Sequence, residues 1–93
     1  MHLARNLAVE LGPRHILVNS IAPGFFPSKM ANGLMKLQGG QDAIGKMNPN
    51  GRVGKPEDIA GAVIYLCSPA SSHVDGVTLP IDGGGLVNKF SKM

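Results

Sequence analysis

Ninety-three residues with 43% apolar content suit one small globular domain, too short for several and too apolar for a disordered chain. Nine Lys and Arg against six Asp and Glu leave a net charge of +3, but the bases are scattered from Arg5 to Lys92 with no basic helix face, which argues against a nucleic-acid partner. A single cysteine excludes an internal disulfide, and no apolar run reaches membrane-spanning length, so a cytoplasmic protein without a membrane partner is expected.

Residues 3–11, "LARNLAVEL", predict a helix, with Leu3, Leu7 and Leu11 recurring every fourth position. Gly12-Pro13 stops it, but no Ser, Thr or Asp precedes Leu3 to start it. Residues 15–22, "HILVNSIA", predict a strand. Its apolar residues hardly alternate, as in a strand of a parallel sheet covered on both faces. Pro23-Gly24 ends it.

In "SKMANGLMKL", Ser28 could cap a short helix that Gly33 weakens, and a second short turn is expected in "QGGQDAIGKM". Residues 48–55, "NPNGRVGK", predict a loop. Pro56 opens the clearest helix, "PEDIAGAVIYLCS". Glu57 and Asp58 suit its positive end, and Ile59, Val63, Leu66 and Cys67 form its expected inward stripe, with Cys67 a buried small residue. "GVTLPID", residues 76–82, predicts an edge strand, because Pro80 has no N–H for a ladder. The glycines at 83–85 end it, and the tail beyond them is too short to assign.

The order helix, strand, excursion, helix, strand is one parallel βαβ crossover. Two parallel strands are not a domain, since such sheets need cover on both faces. The fold class expected is therefore α/β, as a piece of a larger doubly wound parallel sheet. Ligands of such sheets sit beyond the carboxyl ends of the strands, where Pro23-Gly24 falls. Read alone, a strand followed by Pro-Gly is equally a plain turn.

Three motifs occur in order: Asn-x-x-x-Pro-Gly at 19–24, Gly-x-Pro-Glu-Asp-Ile-Ala at 54–60, and Asp-Gly-Gly at 82–84. Over residues 3–84 the chain resembles the C-terminal portion of the short-chain dehydrogenase/reductase family. The resemblance implies a partial NAD(P)-binding Rossmann-type domain over residues 1–93, with 16–22 as the sixth strand and 77–82 as the seventh, at the sheet edge. It implies NAD or NADP as cofactor and a small-molecule carbonyl or alcohol as substrate, in a homo-oligomer (dimer or tetramer). The choice between NAD and NADP is made at a second strand that this sequence does not contain.

By motif position, Pro23, Gly24, the backbone of Phe26, and Ser28 would hold the nicotinamide end. Ser28 stands where the family usually has Thr, and Phe26 is bulkier than the usual Val or Ile. Residues 28–47 would form the substrate-binding loop. Met30, Leu34, Met35, Leu37 and Met47 either line an apolar pocket for an acyl chain or pack the loop down. "APGFFPSKMANGL" is similar to 3-oxoacyl carrier-protein reductases and to rhamnolipid-biosynthesis relatives.

The family's Gly-x-x-x-Gly-x-Gly phosphate turn is not in the sequence. Tyr65 is followed four residues later by Pro69, so it is not the tyrosine of the family's catalytic Tyr-x-x-x-Lys, and no catalytic residue is assigned. His2, His15 and His73 share no metal-ligand spacing, so no metal site is expected. Two functional readings stay open: the C-terminal portion of a carbonyl reductase without turnover of its own, or a non-catalytic chain docking onto full-length subunits. An incomplete gene model is a third, blander possibility, suggested by the uncapped helix start.

Overall fold

A computed structural model describes residues 2–28, 33, 36–37 and 39–91, the last three by backbone alone. The regular elements are α1 (His2–Leu11), β1 (Ser20–Pro23), α2 (Gln41–Gly45), α3 (Pro56–Cys67), β2 (Thr78–Ile81) and α4 (Gly85–Ser91). The chain divides into two compact units, one of Met1–Ala22 with Ala60–Leu79, the other of Pro23–Ile59 with Pro80–Met93.

In the first unit, α1 ends where Gly12-Pro13 predicts. Gly12–Arg14 continue as one 3-10 turn, and His15 closes it in the left-handed region (φ 62°), its N–H donating to the Gly12 carbonyl at 2.9 Å. The Ile16 N–H then returns to the Leu11 carbonyl at 3.3 Å, satisfying one of the carbonyls a helix end leaves open. His15 is therefore a helix-end residue, which shortens the predicted strand.

The strand is shorter still, beginning at Ser20 rather than His15. The cause lies in what faces it. The Val18 N–H finds the Asp75 carboxylate (2.9 Å), and the Val18 carbonyl accepts from Gly76 N–H (2.8 Å). The carboxamide of Asn19 donates to the Val74 carbonyl and accepts from the Val77 N–H, both at 3.0 Å. Residues 18–19 are thus joined partly through side chains, and the ladder takes over only at Ser20, whose N–H reaches the Val77 carbonyl at 2.9 Å. Bonded partners rise together along the two strands, so the pair is parallel, with β1 beside β2 in a two-stranded sheet.

The expected cover on both faces of the first strand is not found. Ile16 and Leu17 are exposed, and residues 20–22 are half-buried. The inward stripe of α3 also differs. Ile59, Ala62 and Leu66 are half-covered, while Val63 and Cys67 are exposed, so Cys67 is not a buried residue. Among the described residues of this unit, Ala8 and Ser71 are buried. Ser71 is satisfied there: its hydroxyl donates to the carbonyls of Leu66 (3.0 Å) and Ser68 (3.2 Å), closing the end of α3.

The second unit is built mainly from loops. Ile44 on α2, 1% exposed, is its buried apolar anchor. Residues 48–55 carry no regular element, as predicted. Positions 33, 36 and 37 are helical, in keeping with the short helix expected there. The unassigned tail forms α4. Asp82 organises its start, one carboxylate oxygen accepting from Gly84 N–H and the other from Leu86 N–H, each at 3.0 Å.

Candidate functional site

The candidate site lies in the second unit, just past the end of β1. The Gly24 N–H continues the ladder to the Ile81 carbonyl at 2.9 Å. A Cβ on Gly24 would stand 2.9 Å from Cβ of Asp82 and 3.0 Å from its Cα, so only glycine lets the chain leave the strand this close to the end of β2. The next carbonyl, of Phe25, accepts from the Gly54 N–H at 2.9 Å. That bond ties the segment after β1 to the loop before α3.

This path encloses a cleft of about 380 Å³ lined by Pro23, Gly24, Phe25, Phe26, Pro27, Ser28, Pro56 and Ile59. All four residues expected at the nicotinamide end, Pro23, Gly24, Phe26 and Ser28, stand on it together. The wall is mostly apolar with a hydroxyl at one end, the mixture that small-molecule sites commonly show.

Beside it lies a more polar recess of about 310 Å³ whose lining includes Phe26, Asn48, Asn50, Arg52, Asp58 and Asp82. Arg52 and Asp58 form a two-pronged ion pair there, with Nη1 to Oδ2 at 2.8 Å and Nη2 to Oδ1 at 3.3 Å. Asp58 Oδ2 also accepts from the Lys55 N–H at 2.8 Å, the return half of a capping box at the start of α3. The Arg52 bond and then the Lys55 N–H hold the Asp58 carboxyl down at about 2, and the same pairing raises Arg52. Asp58 thus does more than complement the helix dipole, the role its position in the sequence suggests. The signal for it is Arg52, six residues earlier.

The expected substrate-loop residues divide. Met30, Leu34 and Met35 lie outside the described residues. Leu37 is 84% exposed and lines none of these clefts. Met47, also exposed, lines a third concavity with Gly24, Phe25, Asn48 and Leu86. No motif of the sequence marks Asn48 or Asn50. Asn48 donates to the Arg52 carbonyl at 2.9 Å, and Asn50 nests against Gly83. Among the described residues no group of His, Cys, Asp and Glu could hold a metal ion, and no helix is long and apolar enough to cross a membrane.

A parallel β-helix-β unit with its cleft beyond the strand ends fits a Rossmann-type sheet, and sequence comparison agrees. The pattern of the enoyl-(acyl carrier protein) reductase family matches residues 1–85, and the chain belongs to the short-chain dehydrogenase/reductase family. It is 39% identical over 89 residues to a tropinone reductase homolog of Arabidopsis thaliana, covering 96% of this chain and 34% of that protein. It is 44% identical over 85 residues to the 3-oxoacyl-[acyl-carrier-protein] reductase FabG of Rickettsia bellii, covering 91% and 34%. The fold superimposes on the RhlG/NADP active-site complex of Pseudomonas aeruginosa with a TM-score of 0.79 at 42% identity, covering 90% of this chain and 34% of that one. The chain thus spans about a third of the length of the relatives it matches.

Proposed function

We propose that this chain forms the nicotinamide-side wall of an NAD(P)(H)-dependent oxidoreductase that reduces a carbonyl to an alcohol, with a 3-oxoacyl thioester as the favoured substrate class. One observation carries the reading: Pro23, Gly24, Phe26 and Ser28 line a single cleft beyond the end of β1. The residues suit the group. A nicotinamide ring is flat and apolar on its faces, as Pro23, Pro27 and Ile59 are, and its carboxamide matches the Ser28 hydroxyl and the Phe26 backbone. The bound cofactor would supply the hydride; the chain's part is to orient the ring and exclude water from one face. Met47, next to Gly24 in the adjoining concavity, would meet an acyl chain.

The sequence holds no Gly-x-x-x-Gly-x-Gly turn and no Tyr-x-x-x-Lys pair, so the reading expects no turnover by the 93 residues alone. The test fuses the chain to the N-terminal two-thirds of the Rickettsia relative and follows NADPH oxidation with a 3-oxoacyl thioester. The fusion is expected to turn over, and Ser28→Ala to raise its KM for NADPH about tenfold, the loss of one hydrogen bond to a polar group. A folded fusion that binds no nicotinamide nucleotide would overturn the reading.

A second reading, docking onto full-length dehydrogenase subunits, is favoured by the apolar surface of the first unit, where Leu3, Val9, Ile64 and Val77 are exposed. Immobilised chain should then retain a full-length relative at micromolar concentration, and failure to retain it counts against docking.

A further inference from the structure

Gly54 has an ordinary backbone conformation, yet a Cβ built on it would fall within the ring of Phe26, against Cε2, Cζ and Cδ2. The glycine is needed there for space alone. Its own N–H is bonded to the Phe25 carbonyl, so the backbone cannot back away without breaking that link (2.9 Å). Phe26 is half-buried and, with Phe25, borders both the apolar cleft and the polar recess.

We propose that Phe26 and Gly54 are a matched pair, in which the phenyl ring seated on the glycine keeps the cleft of Pro23, Gly24 and Ser28 open to a nicotinamide ring. Phe26 is a positioning residue in this sense, and the proposal rests on the nicotinamide reading above. The direction of its effect follows from what lies on either side of the ring. A side chain at position 54 would expel the ring from its seat. On one side stand the Arg52–Asp58 ion pair and the two asparagines, whose polar groups would lose water if a phenyl ring entered. On the other stand Pro23, Pro27, Pro56 and Ile59, which present apolar surface. The displaced ring therefore moves into the cleft and fills the place of the ligand. A smaller residue at position 26 removes the obstruction, so the harm done by a residue at 54 should vanish when Phe26 is cut back.

The experiment is an NMR titration with nicotinamide mononucleotide of this chain fused to the N-terminal two-thirds of the Rickettsia relative, reading the amide shifts of Gly24 and Ser28. It compares the natural fusion with Gly54→Ala, Phe26→Val and the double variant. Gly54→Ala is expected to weaken binding at least tenfold, and the double variant to recover to within about threefold of the natural fusion, a coupling that independent sites do not show. The Gly54 Hα resonances should also be shifted upfield by the ring and return to ordinary positions in Phe26→Val, which keeps the proposal testable should Gly54→Ala fail to fold. Unshifted Gly54 protons overturn the pairing. So does binding that Gly54→Ala leaves unchanged, or a loss that Phe26→Val does not repair; in both cases the nicotinamide reading survives. Absence of any response by the folded natural fusion to the mononucleotide sinks that reading, and the proposal with it.

Discussion

The two units are held together by different means. The first contains all of α1 and most of α3, yet among its described residues only Ala8 and Ser71 are buried, while Val9 is 79% and Ile64 69% exposed. The second is mostly loop, yet Asp58, Asp82, Asn48 and Asn50 tie its turns to one another and Ile44 is sealed inside. Regular structure and burial are thus separable. A helix with an apolar stripe needs a surface to lie against, whereas a loop whose polar groups are paired locally carries its own constraints. The candidate site stands on the unit of the second kind.

The sharpest way to break this comparison is to empty the position of Ile44. Ile44→Ala should cost about 2–5 kcal/mol, read as a fall in urea midpoint, the usual effect of deleting a buried branched side chain. A cost below about 1 kcal/mol would mean that the second unit does not depend on its apolar anchor. Next comes Asp82→Ala, which removes acceptors from the Gly84 and Leu86 N–H groups. About 1–2 kcal/mol of lost stability is expected, with faster hydrogen exchange at both amides.

A smaller effect is expected from acid. The folded pKa of Asp58, about 2, lies below its ordinary 3.8. Its contribution is therefore complete above about pH 4 and is lost as pH falls from there through about 2. Thermal midpoints taken between pH 5 and pH 2 should decline less steeply in Asp58→Asn than in the natural chain; equal slopes would remove Asp58 from the account. The smallest effect should come from the first unit, where Ile64→Ser on the exposed side of α3 should change stability by no more than about 0.5 kcal/mol. A large loss would show that the residue is covered in solution, and would turn the comparison toward a partner.

Much of this arrangement can be read from the sequence, for physical reasons that are local. Pro56 with Glu57 and Asp58 starts α3, and Gly12-Pro13 ends α1, because each depends on bonds within a few residues. Pro23, Gly24, Phe26 and Ser28 reach one cleft because they are consecutive along a single bend. The rest depends on distant partners. The strand begins at Ser20 and not His15 because of Asp75 and Val77, more than 50 residues away. Val63 and Cys67 look buried by spacing alone, yet both are exposed, because what covers a helix face is set by its neighbours and not by its period. The seat of Phe26 on Gly54 joins two segments whose motifs give no hint of contact.

Asn19 has a consequence of its own. Its carboxamide offers the chain segment before β2 one donor and one acceptor, the same pair that a peptide group would offer. At this point the sheet is continued by a side-chain amide standing in for backbone. Slow hydrolysis of that amide to a carboxylate would replace the donor with a second acceptor and set it against the Val74 carbonyl. The age of the molecule, as well as its sequence, would then decide how far the two strands stay joined.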